Sequence, residues 1–266
     1  GSPAHWEIFS KSPLINRPNV DLSFFKAPIE GGDTLNAKVE SKVNEILDKG
    51  GCEYKIQKGY GLTEKCSAVN EVNKPGSVGV PFSKTVVSIY DNDKEEDLHY
   101  NELGEICVSA PDIMLGYYGN VEETNKVIKE HKDGNKWLHT GDIGYVTPDG
   151  LLYVVGRIKD IIIRYDGKKI YPYNVENILL KCPIVKSVAV VGIPDPNHYN
   201  GEVPVAFVSI DDSYSKEEAM KIISDYANNT ITDYLIPTSY YIEDELPKTV
   251  VGKVDKKVLK KTLIRK

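Results

Sequence analysis

The chain has 266 residues, 41% of them hydrophobic and 27% charged, with a formal net charge of −6. That length suits two ordinary domains, and the balance is that of a globular protein with a real core. Lysines and arginines are scattered, which points away from nucleic acid or anionic lipid as partners, and apolar runs such as Ile161-Ile162-Ile163 are too short to span a bilayer. Residues 1–75 read as alternating strand and helix. An apolar run at 23–29 ends in Gly31-Gly32. Leu35, Val39, Val43, Ile46 and Leu47 then fall on one face at helical spacing, with Asp33 placed to cap the helix and Gly50-Gly51 to stop it. A second strand at 54–57 leads into Gly59-Tyr60-Gly61-Leu62-Thr63-Glu64. Strand, helix, strand with glycines at both carboxyl ends is the crevice geometry in which open α/β sheets bind ligands.

From residue 76 short β-rich pieces take over, at 86–90, 105–109 and 151–155, divided by turns such as Asp149-Gly150 and interrupted by a helix at 121–129. The acidic run 91–97 reads as a solvated hairpin loop. Beyond Arg157 a hairpin turning at Asp166-Gly167 precedes a helix opened by Pro172. Strands at 185–193, 203–210 and 239–243 and a helix at 216–228 complete a small α+β unit. The expected fold is therefore α/β. A partial large domain over 1–158, with α/β residues 1–75 and a small distorted β-barrel over 76–158, is followed by a small, mobile α+β domain over 159–266.

The sequence contains no zincin helix motif, nucleophile elbow, Walker A loop or dinucleotide fingerprint. Its histidines (His5, His99, His131, His139, His198) form no spaced cluster, which points away from metal binding through them. Cys52, Cys66, Cys107 and Cys182 stand singly, as reduced thiols of a cytoplasmic protein do. Tyr60, among glycines at a strand end, is placed either to lie against a purine or to fill the core. Thr63 offers a hydroxyl to a phosphate oxygen, and Glu64 is either a surface carboxylate or a hard ligand of the kind Mg²⁺ prefers. Gly31 and Gly32 permit close backbone approach, or simply turn into the helix. Asp142, between Gly141 and Gly144 in what reads as a tight turn, can accept from two hydroxyls. Arg157 closes the barrel-like region, as a ligand contact or a buried ion-pair partner. Lys253 sits in a loop held by proline and glycine.

In order along the chain stand Gly59-Tyr60-Gly61-Leu62-Thr63-Glu64, Gly104-Glu105-Ile106, Gly116-Tyr117-Tyr118 and Trp137-Leu138-His139-Thr140-Gly141-Asp142-Ile143-Gly144. They continue as Gly156-Arg157-Ile158-Lys159-Asp160, Ile170-Tyr171-Pro172, Gly201-Glu202-Val203-Pro204 and Pro247-Lys248-Thr249-Val250-Val251-Gly252-Lys253. This ordered set, over nearly the whole chain, resembles the adenylate-forming family: acyl- and aryl-CoA synthetases, peptide-synthetase adenylation domains and firefly-type luciferases. The first hexapeptide is most similar to the CoA-ligase and luciferase branch.

The resemblance implies an ATP-dependent acid–CoA ligase. A carboxylic acid and MgATP give acyl-adenylate and pyrophosphate, and the thiol of coenzyme A then displaces AMP. It implies that Gly31, Gly32 and Asp33 pass beneath the adenine, that Tyr60 and Gly61 lie against the nucleotide, and that Asp142 and Arg157 reach the ribose. Thr63 would contact phosphate, Glu64 would hold Mg²⁺, and Lys253 would be the catalytic cation at the α-phosphate. Lys159 would be the hinge, and Gly167 would border the access path of coenzyme A. Carrier-protein loading and nucleotide binding without catalysis are the alternatives.

Three departures accompany the resemblance. Residues 157–167 run one residue longer than the family pattern, and Asn174 stands where an acidic residue is typical. No Ser/Thr/Gly-rich phosphate loop with a lysine precedes Tyr60, so the chain is expected to be a carboxyl-terminal portion, inactive by itself, with Gly1-Ser2 an expression scar.

Overall fold

In the computed structural model, which describes residues 1–32, 35, 37–65, 69–70, 74, 76–211, 213–249 and 253–264, the chain opens with helix α1 (Pro3–Lys11). The sequence pattern does not predict this helix, because nine residues supply too few apolar positions for a period; Pro3 at the first helical position and the buried Trp6 mark it. Strand β1 (Ile29–Gly31), helix α2 (Ala37–Lys49) and strand β2 (Gln57–Gly59) follow, with β1 and β2 parallel. The expected strand–helix–strand is present, but both strands start later than the apolar runs. Before β1, Asp21 draws Ser23 into a turn (N to Oδ1, 2.9 Å), and Pro28 has no N–H, its carbonyl instead accepting from Gln57 N at 2.8 Å. Before β2, the Ile56 N–H is taken by Asn44 Oδ1 of α2 at 2.8 Å, so the ladder begins at Gln57. Helix α2 buries Val43, Ile46 and Leu47 against Trp6, Leu22 and Ile56. Each such side chain stabilises the unit by about 1.5–3 kcal/mol. Gly51, at φ +76°, ends the helix in the left-handed region. Asp33, the expected cap, lies outside the described residues.

Strand β3 (Val69–Asn70) pairs with β4 (Val80–Pro81). Strands β5 (Val86–Asp91), β6 (Glu96–Asp97) and β7 (Gly104–Ser109) come next, then helix α3 (Val121–Val127) and strands β8 (Ile128–Glu130), β9 (Lys136–Val146) and β10 (Leu152–Arg157). They form a six-stranded half-barrel in the order β10-β9-β7-β5-β6, with β8 on β9. The acidic run is the β5–β6 hairpin, its charges largely exposed. Period-two alternation sends Ile89, Ile106 and Val108 into one core cluster with Leu152 and Tyr60. One expectation is corrected here: Asp142 is not in a tight turn. It lies inside the eleven-residue strand β9, at an irregularity opposite Glu105 and Cys107 where Gly141 adopts φ +69°. A left-handed glycine within a strand makes a bulge rather than a reversal.

Contacts along the backbone divide the chain into two units, Gly1–Val154 and Val155–Lys266. The second unit begins with the end of β10 and a 3₁₀ turn, Ile158–Asp160. A short hairpin follows, β11 (Ile162–Ile163) with β12 (Lys169–Ile170), then helix α4 (Pro172–Leu179), started by the proline as expected. Strands β13 (Val185–Pro194), β14 (Glu202–Ile210) and β15 (Ser239–Glu243) form a sheet, β13 antiparallel and β15 parallel to β14. Helix α5 (Lys216–Thr230) carries a capping box made by Ser215 and Glu218. Helix α6 (Lys256–Ile264) is not predicted by the sequence pattern. Its role follows from the sheet. Val188, Val190, Ala206 and Val208 face α4 and α5, while Ala189, Val191, Val205 and Phe207 face the other way and are covered by Leu246 and by Leu259 of α6. A sheet apolar on both faces needs covering on both.

Candidate active site

Strands β1 and β2 end side by side, Gly31 in register with Gly59. A side chain on Gly31 would come within 3.7 Å of the Gly59 carbonyl, and one on Gly32 (φ +94°) would meet none of the described residues within 4 Å. The backbone at these two strand ends is thus open to close approach. Tyr60 follows directly. Its ring is buried in the half-barrel core, and its hydroxyl donates to Asp142 Oδ2 at 2.8 Å. Tyr60 and Asp142 are 9% and 5% exposed, so this is a buried, charge-assisted contact across 82 residues of sequence.

The bulge that carries Asp142 is held by side chains. Gly141 N donates to Glu105 Oε1 at 2.8 Å, Thr140 Oγ1 donates to the Ile106 carbonyl at 2.7 Å, and Asp142 N donates to Thr140 Oγ1 at 3.1 Å. With two backbone N–H groups diverted from the ladder to side chains, the strand kinks and the carboxylate is re-aimed toward Tyr60.

Thr63 and Glu64 lie in a turn closed by reciprocal bonds between Leu62 and Lys65 (N to O, 3.0 and 3.3 Å). Thr63 is exposed and Glu64 half-buried. Lys65, 3% exposed, anchors the turn to Asp112 at 2.9 Å, and Met114 N donates to the Glu64 carbonyl at 2.8 Å. The hydroxyl of Tyr117 donates to Glu64 Oε1 at 2.5 Å, which pushes the Tyr117 phenol up to about 12, chiefly through that hydrogen bond to an anion. Tyr117 is itself positioned by Thr124, whose Oγ1 accepts from its N–H at 2.9 Å. Gly116-Tyr117-Tyr118 stands among the ordered motifs, but nothing local in the sequence assigns Tyr117 a role. The pairing spans 53 residues, and only the tertiary fold reveals it.

In the second unit, Arg157 is exposed at the end of β10 and Lys159 is exposed in the 3₁₀ turn. Gly167 turns the β11–β12 hairpin at φ +76°, where an added Cβ would meet none of the described residues within 4 Å. Lys253 is half-buried in a loop closed on itself. Thr249 N donates to the Lys253 carbonyl at 2.6 Å, Lys253 N donates to Thr249 Oγ1 at 3.1 Å, and Lys248 pairs with Val254. The structure therefore gathers Gly31, Gly59, Tyr60 and Asp142 around two strand ends and joins Glu64 to Tyr117, while Gly167 and Lys253 occupy separate loops of their own unit.

A family model described as AMP-binding enzyme matches residues 1–118, and one described as AMP-binding enzyme C-terminal domain matches residues 174–253. The chain is 36% identical to a luciferin 4-monooxygenase of Luciola mingrelica over 98% of its own length and 46% of that protein's. It is 36% identical to a long-chain-fatty-acid–CoA ligase of Bacillus subtilis (strain 168), over 91% of this chain and 42% of the relative. Among solved structures, the amide bond synthetase McbA from Marinactinospora thermotolerans superposes with a TM-score of 0.85 at 26% identity, over 99% of this chain and 51% of that one. The chain thus spans about half the length of the proteins it matches.

Proposed function

The chain belongs to the AMP-binding, adenylate-forming enzyme family, in its acyl-CoA ligase group, and on that premise we propose that its first unit forms the nucleotide side of an adenylation site whose acyl product passes to the thiol of coenzyme A. The buried Tyr60–Asp142 hydrogen bond, one residue beyond the end of β2, carries this reading. It is costly to bury a carboxylate, and a ligand that offers paired hydroxyls gives this one a purpose.

In this reading the adenine of ATP lies over Gly31, Gly32 and the backbone of Tyr60-Gly61, and Asp142, aimed by the Tyr60 phenol, accepts from the ribose hydroxyls. Asp33, the remaining member of the expected adenine segment, lies outside the described residues. Thr63 and Glu64 present hard oxygen donors on one turn, which fits Mg²⁺. The ion would neutralise polyphosphate charge, and Tyr117 would keep the Glu64 carboxylate in one orientation meanwhile. Residues of the second unit serve the same reaction. Arg157 adds a ribose contact, Lys253 supplies positive charge at the α-phosphate during adenylation, Lys159 is the pivot of a mobile unit, and Gly167 leaves passage for the thiol. Two half-reactions that need different groups at one centre are served by such a moving part. The likeness to an amide bond synthetase favours one second reading, an amine acceptor in place of the thiol.

Calorimetric titration of the 266-residue chain with AMP tests the proposal. Binding is expected, weakened about tenfold or more by Asp142→Ala, since each lost hydrogen bond to a charged acceptor is worth about 1.5 kcal/mol or more. Equal affinity in chain and variant overturns the assignment of Asp142. Supplying acyl-adenylate to the parent enzyme with either coenzyme A or an amine separates the two acceptors.

A further inference from the structure

The expectation that the histidines form no cluster is overturned by the sheet. Cys107 on β7 and His139 on β9 are directly paired in register. Their side chains point away from the Ile106 and Val108 core, onto the face that also carries Tyr90 and Glu105. The loop after β8 folds over this face, His131 N donating to the Asn135 carbonyl at 3.1 Å and Trp137 Nε1 to Asp133 Oδ2 at 3.1 Å. It brings His131 into the space. The ligand atoms of Cys107, His131 and His139 all lie within 4.8 Å of one another. No sequence spacing signals this, because residues 107, 131 and 139 sit on two strands and a loop.

We propose that Cys107, His131 and His139 form a zinc-binding site, unconnected with the Mg²⁺ expected at Glu64. One thiolate and two imidazoles are a donor set that selects zinc among abundant divalent ions, and three protein ligands leave a fourth tetrahedral position for water.

Two further observations support it. His139 Nδ1 lies 2.8 Å from Glu105 Oε2, and Glu105 is fixed by Asn92 Nδ2 at 2.7 Å and Gly141 N at 2.8 Å. This is the carboxylate–histidine arrangement that sets the tautomer of a metal ligand, leaving Nε2 with its lone pair facing inward. That Nε2 is 2.9 Å from His131 Nε2, a few tenths short of the roughly 3.3 Å that separates two nitrogens on one tetrahedral zinc.

His131 is also held for the task by its surroundings rather than by a second hydrogen bond. Its ring stacks between Tyr90 (4.2 Å) and Trp137 (5.3 Å), and among the described residues its Nδ1 is buried without a hydrogen-bond partner, so the polar contact its ring makes there is the inward one, toward His139. Zinc binding would release the Cys107 thiol proton to solvent as the Zn–S bond forms.

The test uses the whole 266-residue chain, stripped by chelator and titrated with Co²⁺ and with Zn²⁺. Co²⁺ is expected to give tetrahedral d–d bands and a thiolate charge-transfer band in the near ultraviolet, both lost on displacement by Zn²⁺ at about one ion per chain. His131→Phe keeps a flat ring between Tyr90 and Trp137 while removing its nitrogens, and should lower zinc affinity about a hundredfold or more. Cys107→Ala should abolish the charge-transfer band. Absence of that band in the unaltered chain overturns the proposal without reference to any variant and leaves a hydrogen-bonded core network in its place. Its persistence in Cys107→Ala, or equal zinc affinity in the His131→Phe chain, overturns it as well.

Discussion

Replacing Tyr60 by Phe tests the central contact with the smallest change available. The ring stays in its core cluster, and only the hydroxyl that donates to Asp142 Oδ2 at 2.8 Å is removed. Tyr60 and Asp142 are 9% and 5% exposed, so water does not readily replace the lost donor. A hydrogen bond to a charged acceptor contributes about 1.5–3 kcal/mol. Asp142 has further interactions, which places the expected loss near the lower end, about 1.5–2 kcal/mol. For a chain of this size that corresponds to roughly 3–8 °C in Tm. AMP affinity should fall about three- to tenfold, because the carboxylate is no longer aimed. Urea unfolding of Tyr60→Phe, Asp142→Asn and the double variant closes a cycle whose coupling energy should be about 1 kcal/mol. A coupling indistinguishable from zero, or AMP binding unchanged in Tyr60→Phe, refutes the idea that this bond orients the carboxylate.

The Tyr117 phenol is pushed up to about 12 by its bond to Glu64, against an ordinary value of 10.0. A raised acid contributes stability that is whole below about pH 10 and is lost as pH climbs toward 12, since the unfolded chain gives up the proton first. The stability difference between the chain and Tyr117→Phe should therefore shrink over that window, and parallel pH profiles would show that the bond contributes nothing. Gly144→Ala should be the most damaging glycine change in β9, because the new methyl would lie 2.3 Å from the Tyr153 carbonyl oxygen. Gly141→Ala meets none of the described residues within 4 Å and bears only the left-handed strain of about 1–2 kcal/mol. Urea midpoints that rank the two the other way would contradict the packing described. In the parent enzyme, Lys253→Ala should slow adenylation about a hundred- to a thousandfold and largely spare thioester formation from supplied acyl-adenylate, whereas a bulky residue at Gly167 should do the reverse. Pyrophosphate exchange and adenylate consumption, measured separately, decide this; equal slowing of both steps by Lys253→Ala would make that lysine structural.

What could be read from the chain itself was whatever depends on residues near one another in sequence. The face of α2, the proline that opens α4, the glycine turn between β11 and β12 and the runs of β13 and β14 all express local period or local backbone preference. Ordered short motifs likewise carried the family, because a motif is a local pattern. The tertiary structure decided whatever depends on pairing. The starts of β1 and β2 are set by hydrogen bonds that Pro28 O and Asn44 Oδ1 accept, and α6 exists because β13 and β14 leave a second apolar face to cover. Gly141 and Asp142 read as a tight turn from local residue type alone. Glu105, 36 residues away, makes it a bulge instead by taking the Gly141 N–H and keeping the strand continuous. The contacts Tyr60–Asp142, Glu64–Tyr117 and Cys107–His131–His139 join strands and loops far apart in the chain. Their geometry is imposed by strand register, which sequence spacing does not encode.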